Sequence, residues 1–98
     1  HDDITAWVCI NDGIAFAALS FLASHKIAVP ERISVIGFDN LPVSFLEGLS
    51  TFDFRFDKMG SYAVKLFRQG ALRGKLEPDL ALIRGECIPR KTTGIAFR

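Results

Sequence analysis

The chain has 98 residues, 49% of them hydrophobic and 23% charged, a globular composition and not a disordered one. Twelve Lys and Arg against eleven Asp and Glu leave a formal charge of +1, which excludes a strongly basic nucleic-acid footprint on this segment. The longest uncharged apolar stretch, Gly13 to Ser24, is too short to cross a bilayer, and the acidic opening His1-Asp2-Asp3 is unlike a secretory signal, so no membrane partner is expected.

Ala6 to Ile10 (Ala-Trp-Val-Cys-Ile) is a continuous apolar run whose shortness and β-favouring residues predict a strand buried on both faces. Asn11-Asp12 stops it and supplies a helix N-cap signal. A helix over about Gly13 to Lys26 follows, with Ile14, Ala17, Ala18, Phe21 and Leu22 on one stripe and Ala15 and Leu19 widening it. Pro30 ends that segment, and Ile33 to Phe38 reads as an interior parallel strand. Strand, helix and strand make a βαβ unit, so the fold class is α/β with a mainly parallel sheet.

Asp39-Asn40-Leu41-Pro42 carries turn chemistry, and residues 43–48 read as one loose helical turn. The alternation in Ser50 to Phe54 predicts a third strand. A second long helix runs from about Asp57 to Arg73, lined on one face by Met59, Ala63, Leu66, Phe67 and Gly70 and closed by Gly74. Lys75 to Asp79 is a turn. Leu80 to Ile88 is strand-like, interrupted at Gly85 and confined to an edge or an end by Pro89. Arg90 to Arg98 reads as a polar tail.

In an open α/β sheet, ligands bind beyond the carboxyl ends of the strands. Asn11-Asp12 follows the first strand and Asp39-Asn40 the second, so these polar pairs converge on one rim if the strands are neighbours. An amide offers donor and acceptor together and a carboxylate accepts from two hydroxyls, a combination suited to neutral polyhydroxy ligands. Phe38, Phe54, Phe56 and Trp7 can supply apolar faces. The plainer reading is that Asn11 or Asp12 caps the helix and Asp39-Asn40 makes a turn; on spacing alone that is the commoner use.

No other chemistry stands out. Cys9 and Cys87 are 78 positions apart with no C-x-x-C, and neither His1 nor His25 stands at ligand spacing, so no metal site is expected. Both cysteines are expected to be reduced and buried. The sequence has no nucleophile elbow, no G-x-G-x-x-G and no P-loop, so neither catalytic residues nor a cofactor are predicted.

Thr5 to Asp12 followed by Ala15, and above all Val29-Pro30-Glu31-Arg32-Ile33-Ser34-Val35-Ile36-Gly37-Phe38-Asp39-Asn40, resemble the LacI/GalR family of bacterial transcriptional repressors, whose members commonly read V-P-E-D-I-S-V-[IV]-G-[FY]-D here. Leu49-Ser50-Thr51, Met59-Gly60 and Arg90-Lys91-Thr92-Thr93-Gly94 match later signatures in order and spacing. The resemblance implies a two-lobed, periplasmic-binding-protein-like effector domain, of which residues 1–98 are the C-terminal third, with a DNA-binding helix-turn-helix that lies outside this chain. It implies that Asn11 and Asp39 contact the effector, and that the chain crosses between lobes near Phe54. It also implies homodimer contacts through the helix at Gly13–Lys26 and the loop before Leu49. Many members have Arg-Gln-Pro or Lys-Gln where this chain has Asp53-Phe54-Arg55; Phe54 replaces a ligand-donating Gln and makes the rim more apolar.

The function this implies is effector sensing in a cytoplasmic regulator. The ligand sites are Asn11, Asp39, Phe54 and Phe56, with Asp12 as a helix cap. The partners are a carbohydrate effector, operator DNA through the absent N-terminal domain alone, and a second copy of the chain. Uncovered strand edges and helix faces would make the isolated segment self-associate. A sugar-binding protein of a transport system shares the fold and is the alternative. A flavodoxin-like phosphoacceptor centred on Asp39 is a more distant one, because no companion acidic pair and Lys are evident.

Overall fold

The computed structural model describes residues 3–73 and 82–96. β1 (Ala6–Val8), β2 (Ser34–Phe38), β3 (Ser50–Asp53) and β4 (Glu86–Ile88) form one sheet in the order β1-β2-β3-β4. The first three strands are parallel, with Val8 beside Ile36 and Phe38 beside Phe52; β4 runs antiparallel on the edge, with Cys87 beside Phe52. The α/β class with a mainly parallel sheet is therefore as expected.

α1 (Asp12–Ser24) crosses one face of the sheet from β1 to β2. Its buried stripe is Ala15 and Leu22, with Ala18 and Leu19 half-buried between them, packed with Cys9, Ile33, Val35 and Leu49. The expected stripe is thus rotated: Ile14 and Phe21 are about half exposed. The helix is apolar on nearly every side, so periodicity alone cannot fix its phase. Trp7 lies against this same core, its ring 6.1 Å from that of Phe21.

The opposite face of the sheet corrects the expectation of a first strand buried on both sides. Period-two alternation turns Trp7 and Cys9 toward α1 and Val8 and Ile10 away from it, and the latter two are 71% and 80% exposed. Among the described residues nothing covers that side of β1. The strand is also shorter than the apolar run, ending at Val8.

α2 (Pro42–Glu47) is a short helix opened by proline and closed by Gly48 at φ 74°, in place of a loose turn. α3 (Phe56–Arg73) has 18 residues and is about 27 Å long at 1.5 Å per residue. Its stripe lines no core: Met59, Ala63 and Phe67 are all exposed. The molecule measures 60 × 25 × 17 Å, with a radius of gyration of 18.4 Å where a compact chain of this size has about 13 Å. The long axis accords with α3 leaving the sheet.

Of the described part of the strand-like segment, residues 82–88, only Glu86–Ile88 is strand. A β-carbon on Gly85 would meet the Asp53 carbonyl oxygen at 2.5 Å, so only glycine lets the chain enter the edge there. Gly74, the turn at Lys75–Asp79 and residues 80–81 lie outside the described residues. The polar tail is in fact built in. Thr92 is buried: its carbonyl accepts from Val35 N at 2.8 Å, its hydroxyl donates to Val35 O at 2.7 Å, and Ser50 N donates to that hydroxyl at 2.9 Å.

Candidate functional site

Asn11 follows β1 and Asp39 follows β2. Because these strands are parallel neighbours, both residues stand at the same, carboxyl end of the sheet. The two loops touch: Asp12 Oδ2 accepts from Leu41 N at 2.9 Å and from the Ser44 hydroxyl at 2.5 Å.

Asn11 is the N-cap of α1, its backbone extended and its Oδ1 accepting from Ile14 N at 2.8 Å. Capping occupies the carbonyl oxygen and leaves the amide NH₂ without a partner among the described residues. Asp12 is not the cap expected of it. It is fully buried and accepts from three donors distant in sequence, the third contact being from Thr51 Oγ1 to Oδ1 at 2.6 Å. All three partners are donors, which suits an acceptor-only carboxylate. Gly37 makes room for it: a β-carbon there would collide with Asp12 Oδ1 and stand 3.0 Å from Asp12 Cα and 3.2 Å from Ala15 Cβ.

Asp39 has φ 109° and Asn40 φ 52°, both in the region that favours glycine. Asp39 N donates to Phe52 O at 3.0 Å and Asn40 N to Thr51 Oγ1 at 3.2 Å. Asn40 uses its side chain internally, donating to Asp53 Oδ2 at 3.3 Å and accepting from Arg90 at 2.8 Å. The half-buried Asp39 carboxylate, in contrast, has no hydrogen-bond or ion-pair partner among the described residues.

Phe54 and Phe56 belong to an aromatic group with Phe38 and Phe52. Phe54 stacks on Phe38 at 5.7 Å and meets Phe52 edge-on at 5.3 Å, and Phe56 lies 5.6 Å from Phe54. Phe38 and Phe52 occupy the sheet face away from α1, opposite to Gly37 and Thr51, so this group borders the turn at Asp39. Trp7, on the α1 side, is not part of it. Arg55, at φ 59°, fixes the exit toward α3, donating from Nε and Nη2 to Asp57 at 3.2 and 3.1 Å, with Asp53 and Glu86 each 4.0 Å away. The hydrogen bond to Arg55 holds the Asp57 carboxyl below its ordinary range and raises Arg55 in turn.

An open groove of about 740 Å³ lies elsewhere, lined by Phe16, Leu19, Ala23, Glu31, Glu47 and Lys91 among others, and includes none of the four expected ligand residues. Thr51, Ser44 and Thr92, which are buried hydrogen-bonding residues, and the role of Asp12 were not legible in the sequence. A Ser or Thr in an apolar strand or short helix was the sole available signal.

Residues 2–93 match the family model of the periplasmic binding protein-like domain. The chain belongs to this family. The HTH-type transcriptional repressor PurR of Histophilus somni is 35% identical over 91 residues, which are 90% of this chain and 27% of that protein. A LacI-family transcriptional regulatory protein from Corynebacterium glutamicum superposes with a TM-score of 0.74 at 30% identity, over 95% of this chain and 37% of that one. A LacI-family regulator from Arthrobacter sp. FB24, crystallised with lactose, gives a TM-score of 0.79 at 28% identity, over 96% and 36% respectively. These relatives identify the periplasmic-binding-protein-like domain as one of LacI type. The chain spans between about a quarter and two-fifths of the length of these three relatives. No helix among the described residues is long and apolar enough to cross a membrane.

Proposed function

We propose that residues 1–98 are the C-terminal third of the effector-sensing domain of a LacI-type, DNA-binding transcriptional regulator. The effector is a small molecule of carbohydrate class. It binds beyond the carboxyl ends of β1 and β2, where the Asp39 carboxylate accepts from its hydroxyls and the Asn11 amide donates to it, with Phe54 and Phe56 as apolar walls. The observation that carries this reading is the Asp39 carboxylate: half-buried, held on strained backbone, and unpartnered beside an aromatic group. Strain of this kind persists where surroundings over-determine it and gathers at binding sites.

The mechanism is a population shift. Ligand binds one lobe arrangement better than the other, and the bias passes to a DNA-binding domain outside this chain, in a cytoplasmic homodimer. Relatives named as regulators favour this over a transport binding protein, and binding over catalysis. The test is a thermal-shift screen of the full-length protein against lactose, hexoses, pentoses and nucleobases. A ligand selective for the native state raises stability by about 2.7 kcal/mol at a hundred times its Kd. A sugar that shifts the transition supports the reading; shifts by nucleobases alone would replace the carbohydrate class, and no shift by any would refute it.

A further inference from the structure

The turn bearing Asp39 is strained yet fixed, and its fixing points lead back to one buried side chain. Leu41 N donates directly to Asp12 Oδ2 at 2.9 Å. Asn40 N donates to Thr51 Oγ1 at 3.2 Å, and the Thr51 hydroxyl passes its own proton toward Asp12 Oδ1 at 2.6 Å. The two amides that follow Asp39 therefore both terminate on Asp12, one of them through a single hydroxyl. The Ser44 hydroxyl adds a third anchor just downstream, in α2.

Asp12 does not work as a local cap, since Asn11 takes the free amide of Ile14. Every donor it accepts from is 29, 32 or 39 positions away. Burying a carboxylate is costly unless its lone pairs are met, and here they are met by the turn that carries the candidate ligand group.

We propose that Asp12, acting through Thr51, is a positioning residue for the effector site. It locks the strained Asp39–Leu41 turn to the first turn of α1, so that the Asp39 carboxylate and the amide of Asn11, the residue before Asp12, meet a ligand as one preorganised pair. The ligand part of this proposal rests on the effector reading given above; the lock itself does not.

The test compares wild type, Thr51→Val and Thr51→Ser in the full-length protein. Valine keeps the shape of threonine and removes the hydroxyl relay, while serine keeps the relay. Amide hydrogen exchange is read at Asn40, with Val35 N, bonded to Thr92 O in the same sheet, as internal reference. Thr51→Val should speed exchange at Asn40 by about tenfold relative to Val35, as loss of one buried hydrogen bond implies, and Thr51→Ser should restore it. Exchange at Asn40 that is unchanged, or that rises only in step with Val35, overturns the lock.

Titration with lactose, and with any other sugar that shifts the wild type, is the second arm. Weaker binding by about tenfold in Thr51→Val, rescued in Thr51→Ser, supports positioning. Unaltered binding in Thr51→Val overturns it even if the exchange result holds. A wild type that binds no member of the panel refutes the effector reading, and the exchange comparison then still decides the lock.

Discussion

Gly37 lies directly under Asp12: a methyl group on the glycine would stand 3.0 Å from Asp12 Cα and overlap its carboxylate. The pair sets how closely the first turn of α1 approaches β2, and so how the loops after β1 and β2 meet. Gly37→Ala should destabilise the fold by about 1–3 kcal/mol through overpacking against backbone that cannot yield. Urea unfolding checks this; an unchanged midpoint would show that α1 can lift away from the sheet at no cost.

Asn11 is read as both cap and ligand group, and two substitutions separate the roles. Asn11→Ala should cost about 1 kcal/mol of stability through the lost cap. Asn11→Asp keeps an acceptor for Ile14 N, and so keeps stability near wild type, but removes the amide donor. Denaturation together with effector titration distinguishes them: Asn11→Asp should unfold like wild type and bind sugar more weakly. Equal binding would leave Asn11 as a cap alone.

The two free thiols should differ in reactivity, correcting the expectation that both are buried. Cys87 is exposed on the edge strand and Cys9 is buried beneath α1. A chromogenic disulfide reagent at neutral pH should label Cys87 first and Cys9 at least about tenfold more slowly. Burial raises the Cys9 thiol above its ordinary value of 9.0. The unfolded chain therefore ionises first as pH rises, and stability linked to Cys9 is lost only above that value. Equal labelling rates would mean that α1 does not cover β1.

The isolated chain should self-associate. Val8, Ile10, Phe45, Leu46 and Phe67 are each at least 66% exposed, more large apolar side chain than a small monomer usually leaves in water. Sedimentation velocity on residues 1–98 alone should show species larger than a monomer; a stable folded monomer would contradict the uncovered faces.

What the sequence conveyed and what it hid have physical causes. The βαβ unit was legible because the runs at Ala6 and Ile33 are short and apolar, and Pro30 separates helix from strand. The Asn11 and Asp39 loops were legible as neighbours because parallel strands put successive carboxyl ends together. The phase of α1 was not, since a helix apolar on nearly every side gives periodicity nothing to select. The role of Asp12 was hidden because its partners are 29 to 39 positions away, and a carboxylate after an apolar strand reads first as a cap. The buried Thr92 was hidden in a segment whose neighbours are Lys91, Thr93 and Gly94, a composition that reads as tail.

Asp39→Gly in the full-length protein separates a carboxylate kept for a ligand, as proposed here, from one kept for the fold. Glycine accepts the φ of 109° without strain, at the cost of a more flexible unfolded chain, so unfolding free energy should stay within about 1 kcal/mol of wild type. Calorimetric titration with a sugar that binds the wild type should show affinity reduced by about a hundredfold, the loss of a half-buried, charge-assisted contact. Asp39→Gly protein that folds normally and binds that sugar as tightly as wild type would show that the Asp39 carboxylate does not contact the effector.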